Sequence, residues 1–383
     1  MNNSMAGAKD NTLTLKGCNY LRQRLVLSTL SGKPVRIKEI RSQDDEPGLR
    51  EFEVNLIRLL DKITNGSRIE VSETGTSLYY QPGLLHGGTL DHDCCKLKAI
   101  GYYLEVLVAL GPFCKKALHI TLKGVTNNQN DPSVDAFLSG AIPVLKKFLI
   151  VDDGLELKIT KRGMAPEGGG EVVFKCPVRR QLKPIQLMDQ GKVKRIRGVV
   201  YAVRVSPVIS NRLVEAAKGV FLQFIPDVYI YTDHHRGNKS GKSPGFGITV
   251  VAETTTGVYY TAEAVSNPAG CGRLPSVPEE VGKEAAFLLL EEVYRGGCVD
   301  STFQSFAALF MTMATKDISK CIMGPLSPYT IQFLRHLRVF FGHTFRLESH
   351  KKSEEEEELN TGANKVLVTC LGVGFMNLSK RVA

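Results

Sequence analysis

From Pro34 onward the chain alternates two hydrophobic periodicities, and this alternation constrains its fold more than any other feature. A period of two marks strands, and a period near 3.6 marks helices packed on one face. Val35 and Ile37 set a strand within Pro34–Ile40. Leu49, Phe52, Leu56, Leu60 and Ile63 then recur at helical spacing, with Pro47 just before them. Arg68–Val71 and Ser77–Tyr80 read as short strands joined by a turn at Gly75. The order returns with a helix lined by Leu97, Ile100, Leu104 and Leu107, then a strand at Leu118–Leu122. A further helix carries Val134, Phe137, Ala141, Leu145 and Phe148, opened by Asp131-Pro132-Ser133. Leu155–Thr160 and Glu171–Cys176 close the series as paired strands. The first half therefore predicts a unit of helix plus paired strands, recurring about every 60 to 70 residues. Such units lay helices on one face of a mixed sheet, an α/β (α+β) architecture.

Near residue 185 the texture changes. Arg179, Arg180, Lys183, Lys192, Lys194, Arg195 and Arg197 crowd together around Pro184 and Gly191. A strand (Val199–Val205), a helix (Asn211–Phe224), a strand (Val228–Tyr231), a long loop (Thr232–Phe246) and two more strands (Ile248–Glu253, Val258–Glu263) follow. Helical patterning resumes at Glu279–Tyr294, Ser301–Met313 and Tyr329–Phe341, with final strands at Thr344–Leu347 and Lys365–Cys370. This order predicts a large discontinuous domain over 14–184 and 286–383, interrupted by a small α/β domain at 185–285. Residues 1–13 read as a flexible polar tail, and 349–364 as an acidic flexible loop.

Composition sets the bounds. The 383 residues carry 49 Lys+Arg against 39 Asp+Glu, a net charge of +10. Glu354–Glu358 concentrates acid in one run, so the remainder of the chain is more basic still. A basic body fits a polyanionic partner such as nucleic acid, or simply keeps the protein soluble. No stretch reaches the ~20 apolar residues of a membrane span, and Met1–Leu13 lacks the apolar core of a secretory signal. Nine scattered cysteines without a C-x-x-C pair argue against zinc ribbons and redox dithiols. They fit a reduced, intracellular protein.

Few motifs promise chemistry by spacing alone. Ser240-Gly241-Lys242-Ser243 resembles the end of a phosphate-binding loop. The glycine that such a loop needs upstream is Arg236, and Pro244 stops the helix that should follow. His234 and His235 are adjacent on extended chain and point to opposite faces, so they are expected to be an exposed pair rather than chelators. The strongest local signal is Lys161-Arg162-Gly163-Met164-Ala165-Pro166-Glu167-Gly168-Gly169-Gly170-Glu171-Val172. Its three glycines admit a close neighbour, either a phosphate gripped by Arg162 or another backbone.

With this segment the chain resembles the RNA 3′-terminal phosphate cyclase family over about Leu15 to Lys380. Pro47-Gly48-Leu49-Arg50, Leu122–Asn127 and Arg295–Asp300 carry the same resemblance. Thr232-Asp233-His234, Ser240–Gly247 and Gly324–Tyr329 point to its non-cyclase eukaryotic branch. The resemblance implies repeated helix-and-sheet units with an inserted smaller domain. It also implies a histidine nucleophile in true cyclases, and that position falls on Tyr329 here. A phenol with a pKa near 10 is a poor nucleophile at neutral pH. The family's glycine-rich first loop becomes Thr14–Asn19, with Leu15 in place of its glutamate. Its Gln-His pair becomes Phe52-Glu53, and its Asp-Gln pair becomes Ser305-Phe306. Loss of cyclase activity is the expectation.

Several basic and glycine positions remain on or near the family motifs. Arg22, Arg24, Arg41, Arg50, Lys123 and Arg162, with Gly168, Gly169 and Gly170, are the expected RNA- or anion-binding set. No intact motif demands a metal or a nucleotide, so no cofactor is expected. The resemblance implies a nuclear, nucleolar factor of 40S assembly, acting on pre-18S rRNA. Its implied partners are pre-rRNA and a large nucleolar GTPase of the small-subunit processome, with no membrane involvement. An alternative is an endoribonuclease that cuts pre-rRNA, with Lys316, Asp317 and Lys320 as its residues. That trio also reads as a polar helix C-terminus, where the dipole favours cations. A retained cyclase is a third reading, opposed by Tyr329.

Overall fold

The computed structural model describes residues 11–350 and 362–377. The expected tail therefore lies mostly outside the described residues, as does the core of the acidic loop with Glu354–Glu358. Leu13, the last residue assigned to the tail, already begins the first strand.

The architecture is α/β, built on one unit used three times. In the first unit, β1 (Leu13–Lys16) leads through α1 (Leu21–Ser31) to β2 (Val35–Lys38). Helix α2 (Glu51–Ile63) then leads to the hairpin β3 (Arg68–Val71) and β4 (Leu78–Gln81). The sheet order is β1-β2-β4-β3, with β1 and β2 parallel and the other pairs antiparallel. The parallel pair needs a crossover, and α1 supplies it.

The second unit repeats this order. It comprises β5 (Gly88–Asp93), α3 (Ile100–Leu110), β6 (Leu118–Gly124), helix α4, β7 (Glu156–Lys161) and β8 (Gly170–Cys176). Helix α4 starts as Val134–Ala136, winds through a π turn at Phe137–Ala141 and ends as Ile142–Phe148. Ser133 caps it, accepting the Ala136 N–H at 3.1 Å. The sheet order is again first-second-fourth-third, β5-β6-β8-β7.

The third unit opens with β9 (Gln186–Leu187) and is then interrupted. The interruption holds β10 (Val193–Val203), α5 (Pro207–Phe221), β11 (Val228–His235), β12 (Gly245–Thr254), β13 (Tyr259–Val265) and α6 (Pro278–Arg295). Its sheet runs β11-β10-β12-β13, and α5 and α6 pack together on it. The third unit then resumes with α7 (Gln304–Met313), β14 (Ile318–Met323), α8 (Pro328–Phe341), β15 (Arg346–His350) and β16 (Lys365–Leu371). Its order, β9-β14-β16-β15, matches the other two.

Two expectations need correction. The repeat is longer than 60 to 70 residues, because its leading elements went unread. α1 is buried on almost every side, so it has no polar stripe to reveal a helix. β5 reads Gly-Thr-Leu-Asp-His-Asp, too polar to announce a strand, and its buried residue is His92. The insertion is also displaced from 185–285. β9 belongs to the third sheet, and α6 runs straight through residue 285 while packing on α5, β12 and β13. The interruption therefore lies between β9 and α7. Its neck is tied by the Gly297 N–H donating to Gln190 Oε1 at 2.7 Å.

The three units share a core. Phe137 and Phe148 of α4 meet Phe303, Phe306 and Phe310 at and within α7, with ring centroids 5.5–6.1 Å apart. Gly140 is required here, since a Cβ would stand 2.4 Å from the Phe303 ring. Among the described residues no helix is long and apolar enough to cross a membrane.

Candidate functional site

A cavity of about 290 Å³ opens where the three units converge. Arg22 comes from α1, Glu105 from α3 and Phe137 from α4. Ser305 and Phe306 come from the start of α7, and Ser327 and Tyr329 from the start of α8. The sequence dictates the last of these positions directly. Ser327 caps α8 by accepting the Thr330 N–H at 3.2 Å, and Pro328 occupies the first helical position. Tyr329 is thereby placed on the first turn, facing the cavity.

Tyr329 does not stand free. Its hydroxyl donates to Glu105 Oε1, whose other oxygen is 2.6 Å from Arg22 Nη1. The Arg22 guanidinium also lies 4.3 Å from the Tyr102 ring centroid. Gln23 Nε2 donates to the Tyr329 carbonyl at 3.0 Å, and its Oε1 pairs with His336 Nδ1 at 2.9 Å. Burial, reinforced by the Glu105 charge, pushes the Tyr329 phenol well above its ordinary value. Burial lowers the nearby His336 imidazole to about 4, so it is neutral. The cavity thus holds a protonated phenol on a carboxylate that already has its cation.

Leu15 and Glu53, two further positions that the resemblance singles out, have structural work. Leu15 sits on β1, partly buried against the core. Glu53 receives both Arg41 nitrogens, at 2.7 and 2.8 Å, and the Arg50 N–H at 2.8 Å. Arg41 was expected to meet RNA, yet this single carboxylate neutralises it. Glu53 is buried, and the pair is bidentate.

Arg162 departs furthest from expectation. It is 3% exposed and its fork lies on Asp135, with both contacts at 2.7 Å. Its Nε donates to Asp233 Oδ2 at 2.7 Å, and the Tyr201 ring centroid lies 4.8 Å from its guanidinium. Asp135 belongs to α4, Asp233 to β11 and Tyr201 to β10. The residue expected to grip a phosphate therefore ties the second unit to the insertion. Although burial alone would lower it, the two aspartates raise the Arg162 pKa further above its ordinary value. The glycine run serves the same seam. Gly168 has φ 63°, its carbonyl accepts the Lys242 N–H at 2.9 Å, and a Cβ on Gly170 would meet Thr126 at 2.7 Å. Protein atoms from the neighbouring loops pack closely against these glycines.

The other expected cations scatter. Arg22 lines the cavity, and Arg24 donates to the Gly17 carbonyl at 2.6 Å. Arg50 pairs with Glu46 on the surface. Lys123 is exposed on β6, opposite Glu171 of β8. Lys316 and Asp317 lie in the turn after α7, and Lys320 lies within β14, so the trio does not form a helix end. Asp317 accepts the Ile318 N–H at 2.7 Å. Ser305, at the opposite end of α7, is separated from the trio by the helix's length, about 15 Å for ten residues. His234 and His235 are half-buried rather than an exposed pair. His234 Nε2 meets the Val205 carbonyl at 2.9 Å, and His235 Nε2 is 2.7 Å from Asp233. Among the described residues no group of three or more His, Cys, Asp or Glu gathers to hold a metal.

Glu105 and Asp135 were not read from the sequence as functional. Glu105 carried a signal, being the one charged residue in the apolar helix Ile-Gly-Tyr-Tyr-Leu-Glu-Val-Leu-Val-Ala-Leu. A carboxylate in such a helix needs a partner. Asp135 carried none, since an acid in a first helical turn is ordinary.

Comparison with known proteins fits this geometry. The model of the RNA 3′-terminal phosphate cyclase family matches residues 13–347. The chain belongs to that family. It is 61% identical over 369 residues to the human RNA 3′-terminal phosphate cyclase-like protein, covering 96% of this chain and 98% of the relative. A probable cyclase-like protein of Drosophila melanogaster is 57% identical over 375 residues, covering 97% and 98%. The rRNA processing protein rcl1 of Schizosaccharomyces pombe is 44% identical over 370 residues, covering 96% and 97%. In this chain the cavity at the meeting of the three repeats is lined by a tyrosine bound to Glu105.

Proposed function

We propose that this protein is an assembly factor of the 40S ribosomal subunit, acting in pre-18S rRNA processing as an RNA- and protein-binding cyclase homologue without cyclase activity. The observation that carries this reading is the Tyr329–Glu105–Arg22 chain. Nucleotidyl transfer needs an unprotonated nucleophile near an α-phosphate. Here the resemblance puts a phenol at that position, and burial and Glu105 both hold its proton in place. The name of the fission-yeast relative supports the rRNA-processing part. Pre-rRNA and a large nucleolar GTPase of the small-subunit processome are the proposed partners, in the nucleolus. An endoribonuclease role for Lys316, Asp317 and Lys320 gains no support from their place, in a turn and on a strand at the far end of α7 from the cavity.

Two measurements test the proposal. Incubation with α-labelled ATP and an RNA ending in a 3′-phosphate is expected to leave the protein unlabelled and the RNA end uncyclised. A covalent nucleotidyl adduct overturns the loss of activity. Depletion from cells is expected to lower 18S rRNA while sparing the large-subunit RNAs. Undiminished 18S rRNA overturns the assembly role.

A further inference from the structure

The insertion's sheet ends in an unpaired strand. Among the described residues β11 borders β10 alone, and it is eight residues long. Ile230 points under α5 and is buried, whereas Tyr229 and Tyr231 emerge on the opposite face, 60% and 53% exposed. Large aromatic rings at i and i+2 on one strand are roughly 6.6 Å apart along it.

The loop that follows is cationic. β11 runs into a loop carrying Arg236, Lys239 and Lys242, all exposed, with no acidic residue between Asp233 and Glu253. Arg204 joins this loop, its Nε donating to the Gly241 carbonyl at 2.6 Å. The carboxylates flanking the tyrosines already have ion-pair partners. Asp227 pairs with Arg197 at 2.8 Å, and Asp233 pairs with Arg162 and His235 at 2.7 Å. Two outward aromatic rings therefore lead into a cationic loop. Single-stranded nucleic acid binds to that combination, with bases stacked on rings and the backbone tracked by cations.

We propose that Tyr229 and Tyr231 form a stacking platform for two unpaired RNA bases, with Arg236, Lys239 and Lys242 following the phosphates. This rests on the RNA-binding reading above and names the face that carries it. A segment of protein chain adding to the β11 edge is the rival occupant. It would use the strand's backbone and would not call for a carboxylate-free cationic loop beside it.

The test is fluorescence anisotropy of the full-length protein with a fluorescein-labelled 15-nucleotide oligouridylate at low and moderate salt. Wild type is expected to bind, with affinity falling as salt rises. Tyr229→Ala with Tyr231→Ala is expected to weaken binding by about tenfold or more. Tyr229→Phe with Tyr231→Phe, which keeps both rings, is expected to stay within about threefold of wild type. Arg236→Ala with Lys239→Ala and Lys242→Ala is expected to weaken binding and flatten its salt dependence. Both tyrosines are exposed, and thermal melts of each variant confirm folding. Wild-type binding that survives the double Ala substitution overturns the platform and leaves the RNA-binding reading standing. No wild-type binding at low salt overturns both. Unchanged RNA affinity with loss of a co-purifying protein assigns the face to protein and overturns the platform.

Discussion

Arg162 and Asp233 lie 71 residues apart in sequence and 2.7 Å apart in space, joining the loop after β7 of the second repeat to the edge strand of the insertion. With Asp135 on its other side, the arginine closes a buried cluster of one cation and two anions. Such a cluster adds modest net stability when complete, yet removing one partner strands the other charges away from water.

Arg162→Ala is therefore expected to cost about 3–5 kcal/mol, measured by urea unfolding. Arg162→Lys is expected to recover only part of this, because an ammonium cannot reproduce the fork on Asp135. Hydrogen exchange in β11 is expected to rise in the Ala variant. Unchanged stability with weakened RNA binding would instead return Arg162 to the role of a phosphate ligand.

The cavity makes a second, graded prediction. Glu105→Ala leaves the Arg22 guanidinium without its carboxylate and is expected to cost about 3 kcal/mol. Tyr329→Phe deletes one hydrogen bond to a charged group, with an expected cost of about 1–2 kcal/mol. Denaturant midpoints check the order, and a costlier Tyr329→Phe would mean that the phenol carries more than one bond.

Acid should weaken the fold through two histidines. Burial lowers both His92 and His336 from 6.5 to about 4. The unfolded chain then binds more protons than the native one between those values. Their contribution is complete above pH ~6.5 and is lost as pH falls toward 4, up to about 3 kcal/mol each. His336→Gln is expected to flatten this decline in melts across pH 4 to 7. An unchanged slope would mean that His336 is protonated in the folded state.

Lys316→Ala with Asp317→Ala is expected to change stability by no more than about 0.5 kcal/mol, since both side chains are exposed. Thermal melts check this. Pre-rRNA cleavage by purified protein that this variant abolishes would establish the endoribonuclease reading, because loss of folding could not explain it.

Much of the fold was legible because helix and strand periodicities are local. The capped and proline-started helices α4, α5, α6 and α8 were recognisable, as were the hairpins that end each repeat. α1 and β5 were not. One is buried all round and the other buries a histidine, so neither carries a usable stripe. The insertion's far boundary was misplaced for a related reason. α6 is one continuous helical pattern, and which neighbours it packs against cannot be read from its period.

By itself the sequence determined that helices and strands alternate in repeated units and that a smaller domain interrupts them. It also determined the excess of positive charge, but a count of charges says nothing about their pairing. Tertiary structure alone decided that Arg22, Arg41 and Arg162 are already neutralised by Glu105, Glu53, Asp135 and Asp233. It also decided that Tyr229 and Tyr231 remain exposed on the strand that leads into the cationic loop of Arg236, Lys239 and Lys242. The physical reason is distance. Coulombic pairing and burial act over a few ångströms of space, and Gln23 and His336, which meet here, lie 313 positions apart along the chain.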